Sequence, residues 1–166
     1  MMKKTIMYGI ILIICICTLP SCKSSSNVTG STPTINSKAS LEKPYVILIS
    51  LDGFRWDYVE KYQPPHLSTF INNGVKAQSL IPSFPSKTFP NHYTIATGMY
   101  PDQHGIIGNS FYSNKKKVTY NIGNREMVED GTFYGGDPIW VQAERAHMVS
   151  ASYFFVGSEA AIQGIR

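Results

Sequence analysis

Three polar residues stand where chemistry could be done. Asp52 follows an apolar, β-branched run at residues 45–50, Thr88 opens a helix-forming stretch, and Asn109 lies between Gly108 and Ser110. A threonine hydroxyl is a weak nucleophile until a metal or a base activates it. A carboxylate at the carboxyl end of a strand lies on the edge where open α/β sheets bind ligands. A hydroxyl at a helix mouth meets unpaired N–H groups and the positive end of the dipole, a setting suited to phosphate. Each residue also has a plain structural reading. Thr88 could be an ordinary N-cap, Asp52 a cap or turn residue, and Asn109 a turn residue.

Cysteine usage narrows the chemistry. The three cysteines, Cys15, Cys17 and Cys22, all lie in or beside the amino-terminal apolar segment. The part that can fold therefore has neither a disulfide nor a thiolate metal site. Its nucleophile must be a hydroxyl, and any metal must be held by oxygen and imidazole. The net charge of +4 includes Lys3 and Lys4, and no basic stripe interleaved with aromatics remains. Nucleic-acid binding is thus poorly supported. Lys115, Lys116 and Lys117 read as a solvated hairpin tip, with anion contact as the alternative.

The amino terminus reads as an address. Lys3 and Lys4 precede an apolar stretch over residues 6–19, too short for a membrane span. Leu19-Pro20-Ser21-Cys22 resembles a bacterial lipobox, which makes residues 1–21 a lipoprotein-type signal and Cys22 the lipidated residue. A plain signal peptide, or an anchor with an incidental cysteine, remains the alternative. Residues 22–42 are rich in Ser and Thr and read as a flexible tether. The expectation is an exported protein, lipid-anchored to a bacterial membrane and facing the periplasm or the exterior.

Residues 43–166 must position the three candidates. The run at 45–50 has no polar face and predicts a buried central strand of a parallel sheet. A short helix or turn is expected over 56–62 and a helix over 66–71, closed by Asn72-Asn73-Gly74. A second strand is expected over 75–81, then a shaped loop with Pro82 and Pro85. Residues 89–97 predict a helix ended by Gly98, with Pro90 in its first turn. Residues 110–113 and 118–121 predict a hairpin, residues 138–145 a helix, and residues 149–156 a strand. This alternation is α/β. Trp140 reads as core packing, since helix aromatics are usually buried.

The stretch from Val46 through Leu51-Asp52-Gly53-Phe54-Arg55 is followed by Pro85-Ser86-Lys87-Thr88-Phe89-Pro90-Asn91-His92-Tyr93. His104-Gly105-Ile106-Ile107-Gly108-Asn109 and Asp137-Pro138-Ile139-Trp140 come after it. Together these resemble the nucleotide pyrophosphatase/phosphodiesterase family of the alkaline phosphatase superfamily, over nearly all of residues 43–166. The resemblance implies an alkaline phosphatase-like core, a mostly parallel sheet flanked by helices. It implies two zinc ions, with Asp52 as a metal ligand and Thr88 as a nucleophile that also contacts metal. Asn109 would hold a phosphoryl oxygen together with backbone N–H, and Phe89 would stack on a nucleobase.

The implied reaction is hydrolysis of phosphodiester or pyrophosphate bonds in nucleotides, through a phosphothreonine-type intermediate, releasing a nucleoside 5′-monophosphate. The family's zinc pair takes three aspartates and three histidines, and only Asp52 has a match in this sequence. The chain is therefore expected to be the N-terminal part of a domain about two to three times as long. A phospholipid head-group phosphodiesterase, a phosphomonoesterase of the same superfamily and an inactive binding domain stay open as alternatives.

Overall fold

A computed structural model describes residues 35–165. The signal-like segment, Cys22 and most of the expected tether lie outside the described residues. Residues 36–41, inside that expected tether, are tied to the body. Helix α1 (Lys38–Leu41) is capped by Ser37, and Asn36 Oδ1 accepts the N–H of Val149 at 2.7 Å.

The centre of the fold is helix α4 (Thr88–Thr97). Its buried residues, Pro90, Tyr93 and Ala96, recur every three positions and so share one face. Gly98 ends it at φ +70°, a left-handed conformation that glycine adopts without penalty, and its N–H bonds to Thr94 O. Helix α5 (Pro101–His104) follows, opened by proline at its first position. Ahead of α4 lie two peripheral helices with no buried residue, α2 (Tyr58–Tyr62) and α3 (Pro65–Asn72).

Strands β1 (Ser110–Ser113) and β2 (Val118–Asn121) form the expected antiparallel hairpin, in register from Ser110 opposite Asn121 to Ser113 opposite Val118. Phe111 stacks on Tyr120 with ring centroids 4.9 Å apart. Such a cross-strand aromatic pair supports register as well as stability. Helix α6 (Arg125–Glu129) is capped by Asn124, a 3₁₀ turn (Gly131–Phe133) is capped by Asp130, and helix α7 (Ile139–Arg145) follows Pro138.

The core joins α4, α7 and the loops around them: Tyr93, Ala96, Ile106, Tyr134, Trp140, Val141, Ala160 and Ile162. Its tyrosine hydroxyls are hydrogen-bonded, whereas Trp140 Nε1 is buried without a partner among the described residues. Tyr93 donates to Gly135 O at 3.0 Å, Tyr120 to Tyr134 at 2.9 Å, and Tyr134 to Val128 O at 2.9 Å. Burial pushes all three phenols above their ordinary pKa, so they act as neutral donors. Trp140 is core, as expected.

The three predicted strands at 45–50, 75–81 and 149–156 do not form ladders. Among the described residues the hairpin is the only multi-residue sheet. Residues 45–50 make no backbone hydrogen bond there, and Ile47 is 84% exposed. An apolar run becomes a strand only where a neighbouring strand takes up its N–H and C=O groups. No described residue supplies that neighbour. The architecture shown is mixed α/β, with short helices and a small two-stranded antiparallel sheet.

Candidate active site

Thr88 is the first helical residue of α4, and the cap position belongs to Lys87, whose side chain makes no capping bond. The N-cap reading of Thr88 is thereby removed, and its hydroxyl is free to point elsewhere. It donates to Asp52 Oδ2 at 3.3 Å, across 36 residues of sequence. Asp52 is exposed, in a turn where Phe54 N–H reaches Leu51 O and Gly53 takes φ +67°.

Asn109 arrives from the open end of the hairpin. Its carbonyl accepts the N–H of Ile122 at 3.0 Å, which ties the residue before β1 to the residue after β2. Its side-chain Oδ1 accepts the N–H of Phe89 at 3.1 Å. An N–H can only meet the oxygen of the amide, so the Asn109 amide has one orientation. Its Nδ2 group has no partner among the described residues.

The first turn of α4 then has a simple inventory of donors. Phe89 N–H is taken by Asn109, Pro90 has no N–H, and Asn91 N–H bonds to Lys87 O. Thr88 N–H is left without an acceptor among the described residues, beside its own hydroxyl. Thr88 N–H and Asn109 Nδ2 are thus two donors left open at the positive end of a ten-residue helix. This is the donor set a tetrahedral oxyanion would meet.

Phe89 is half-buried and packs against the core cluster. His92 Nδ1 lies 2.9 Å from Thr88 O and its ring meets Phe155 edge-on. His104 is fully buried. Neither imidazole faces Asp52. Among the described residues no group of three or more His, Cys, Asp or Glu could hold a metal ion. Asp52 and Thr88 offer two hard oxygens at one point, which fits part of a metal's donor set.

Other polar features serve structure. Lys116 of the basic tip pairs with Asp130 at 2.7 Å and lies over the Phe133 ring, whereas Lys115 and Lys117 are exposed. A cavity of about 690 Å³ beside this tip and one of about 590 Å³ between residues 43–48 and α7 both lie away from Thr88. Sequence reasoning did not single out Asn91, whose amide staples the loop leading to Thr88. The only signal was an amide near the start of a helix, which is common.

Residues 46–166 match the family described as type I phosphodiesterase / nucleotide pyrophosphatase. The chain belongs to this family. It is 40% identical over 129 residues to mouse ectonucleotide pyrophosphatase/phosphodiesterase family member 1, covering 76% of this chain and 14% of that protein. It is 42% identical over 134 residues to an uncharacterized pyrophosphatase/phosphodiesterase of Schizosaccharomyces pombe, covering 80% of this chain and 28% of the relative. Among solved structures it is similar to murine ectonucleotide pyrophosphatase/phosphodiesterase 5, with a TM-score of 0.63 and 33% identity. That match covers 67% of this chain and 30% of the other. The chain therefore spans less than a third of the length of these relatives.

Proposed function

We propose that this chain carries the nucleophile region of an enzyme that hydrolyses phosphodiester or pyrophosphate bonds in nucleotides and releases nucleoside 5′-monophosphates. The observation that carries the reading is the convergence on Thr88: a hydroxyl relieved of capping, 3.3 Å from a carboxylate and flanked by the oriented amide of Asn109. Family membership and the names of the relatives support it.

In this reading Thr88 Oγ1 attacks phosphorus as its proton passes to solvent water, a Thr–O–P bond forms, and the bond to the leaving oxygen, which takes up a proton from solvent, breaks. Water then attacks the same phosphorus and returns the Thr88 hydroxyl. Thr88 N–H and Asn109 Nδ2 hold a non-bridging oxygen as its charge grows. The exposed part of Phe89 offers a face for the base. Asp52 and Thr88 would hold zinc, which when bound lowers the hydroxyl pKa and stabilises charge on the attacking and leaving oxygens. Residues 43–166 are then the N-terminal portion of an alkaline phosphatase-like catalytic domain, with the remaining ligands outside them.

The test is Thr88→Ala in the full-length natural protein, assayed on 4-nitrophenyl thymidine 5′-monophosphate. Turnover falls by orders of magnitude if Thr88 is the nucleophile. Near-parental turnover refutes it.

A further inference from the structure

We infer that Asn91 is a positioning residue for Thr88, anchored through Ser83 and Thr94 to the buried His104. The inference deepens the proposed function and rests on Thr88 being the nucleophile. Asn91 is the fourth residue of α4, and its side chain reaches back over the helix mouth. Its Oδ1 accepts from Ser83 N–H at 2.8 Å and from Ser83 Oγ at 3.1 Å. Its Nδ2 donates to Pro85 O and to Lys87 O, each at 3.0 Å. Those four bonds fill the capacity of one amide, and swapping its O and N would break the three made to backbone atoms. All four land on residues 83–87, the segment that delivers Lys87, the cap residue directly bonded to Thr88.

The other end of the chain is fixed in the core. Ile106 N–H donates to His104 Nδ1 at 3.2 Å, so the proton of the neutral ring sits on Nε2. Nε2 lies 3.0 Å from Thr94 Oγ1, and Thr94 Oγ1 lies 3.3 Å from Ser83 Oγ. With Ser83 donating to Asn91, the network has one direction: His104 to Thr94 to Ser83 to Asn91. Each hydroxyl accepts once and donates once along it. His104 is fully buried, so this end does not relax into water.

A network of this kind fixes the nucleophile's mouth without touching substrate. Thr88 N–H and Oγ1 are useful only in register with Asn109, whose backbone is held by the hairpin and whose side chain is held by Phe89 N–H. A nucleophile misplaced by about 1 Å can lose about a hundredfold in rate with little change in binding. A merely structural staple would lower thermal stability and leave the kinetics of the folded enzyme alone.

The experiment measures kcat, KM and Tm for N91D, T94V, T94S and T88A of the full-length protein on 4-nitrophenyl thymidine 5′-monophosphate. N91D keeps shape and the Ser83 acceptor but turns an oxygen toward two carbonyls. The inference expects N91D to lose about 30- to 100-fold in kcat with KM within about threefold. T94V, which deletes the bridging hydroxyl, loses about tenfold, and T94S, which keeps it, stays within about twofold. Should N91D not fold, the T94V and T94S pair decides. Folded variants with parental kcat overturn the inference, as does a T94S loss equal to that of T94V, or a loss confined to KM. Parental turnover by T88A instead fails the reading of Thr88 itself, and this inference with it.

Discussion

Residues 88–145 of this chain carry a smaller proportion of apolar side chains than residues 43–84, yet they are the region that closes into a core. In the first region Tyr93, Ile106, Tyr120 and Val141 are fully buried. In the second, Val46, Ile47, Ile49, Leu80, Ile81 and Phe84 are all exposed. The first closes through local elements: a helix, a hairpin and short turns whose partners are near in sequence. The second is patterned for strands, whose partners must come from elsewhere. The candidate site straddles the two. Thr88 and Asn109 stand on the packed region and Asp52 on the open one, joined by a single 3.3 Å contact. Thr88 and the Asn109 amide are therefore held by the packed region, and the Asp52 carboxylate is not.

The largest expected effects test that division within the site. Asn109→Ala in the full-length protein removes one donor and lowers kcat by about 10²- to 10³-fold. Asp52→Asn should first weaken zinc binding, read by metal titration, and its activity should recover partly with added zinc. Full rescue of Asn109→Ala by zinc, or none of Asp52→Asn, would erase the distinction between the two.

A second pair tests the two regions directly in the 166-residue chain. Ile106→Ala empties a fully buried site and should cost about 2–5 kcal/mol in urea unfolding. Ile47→Ala, at an 84% exposed site, should stay within about 0.5 kcal/mol. A matching loss at Ile47 would mean that this segment has a burial partner.

A small, pH-dependent effect concerns Lys116. Burial alone would raise the Asp130 carboxyl, but hydrogen bonds from Lys116 and Thr132, with the Lys116 charge, hold it at about 2. Its folded value lies below its ordinary 3.8, so the stabilisation is present above that value and is lost as pH falls toward about 2. Lys116→Met should cost about 0.2–1 kcal/mol at neutral pH, the range for a solvent-screened pair, and flatten the acid limb of the stability curve. An unchanged limb would assign the shift to Thr132 alone.

The same division governs what could be read from the sequence. Helix α4 and its Gly98 stop, the hairpin with its lysine tip, and the proline-led α7 carry signals within a few residues, and they form where expected. Thr88, Asp52 and Asn109 were legible as polar residues at element boundaries, and the family motif supplied their register. The strands at 45–50, 75–81 and 149–156 were patterned but not formed, because pairing is a non-local condition. The Asn91 network was not legible. It depends on side chains 8, 11 and 10 residues apart meeting over a helix mouth, and no periodicity announces that.

The most direct measurement is to trap the covalent state. The full-length protein is mixed with excess nucleotide ester, quenched in acid within one turnover, digested and mapped by mass spectrometry. A nucleoside monophosphate adduct is expected on the peptide holding Thr88, localised to that residue and absent in Thr88→Ala. An adduct on another residue, or full turnover by Thr88→Ala, would contradict it.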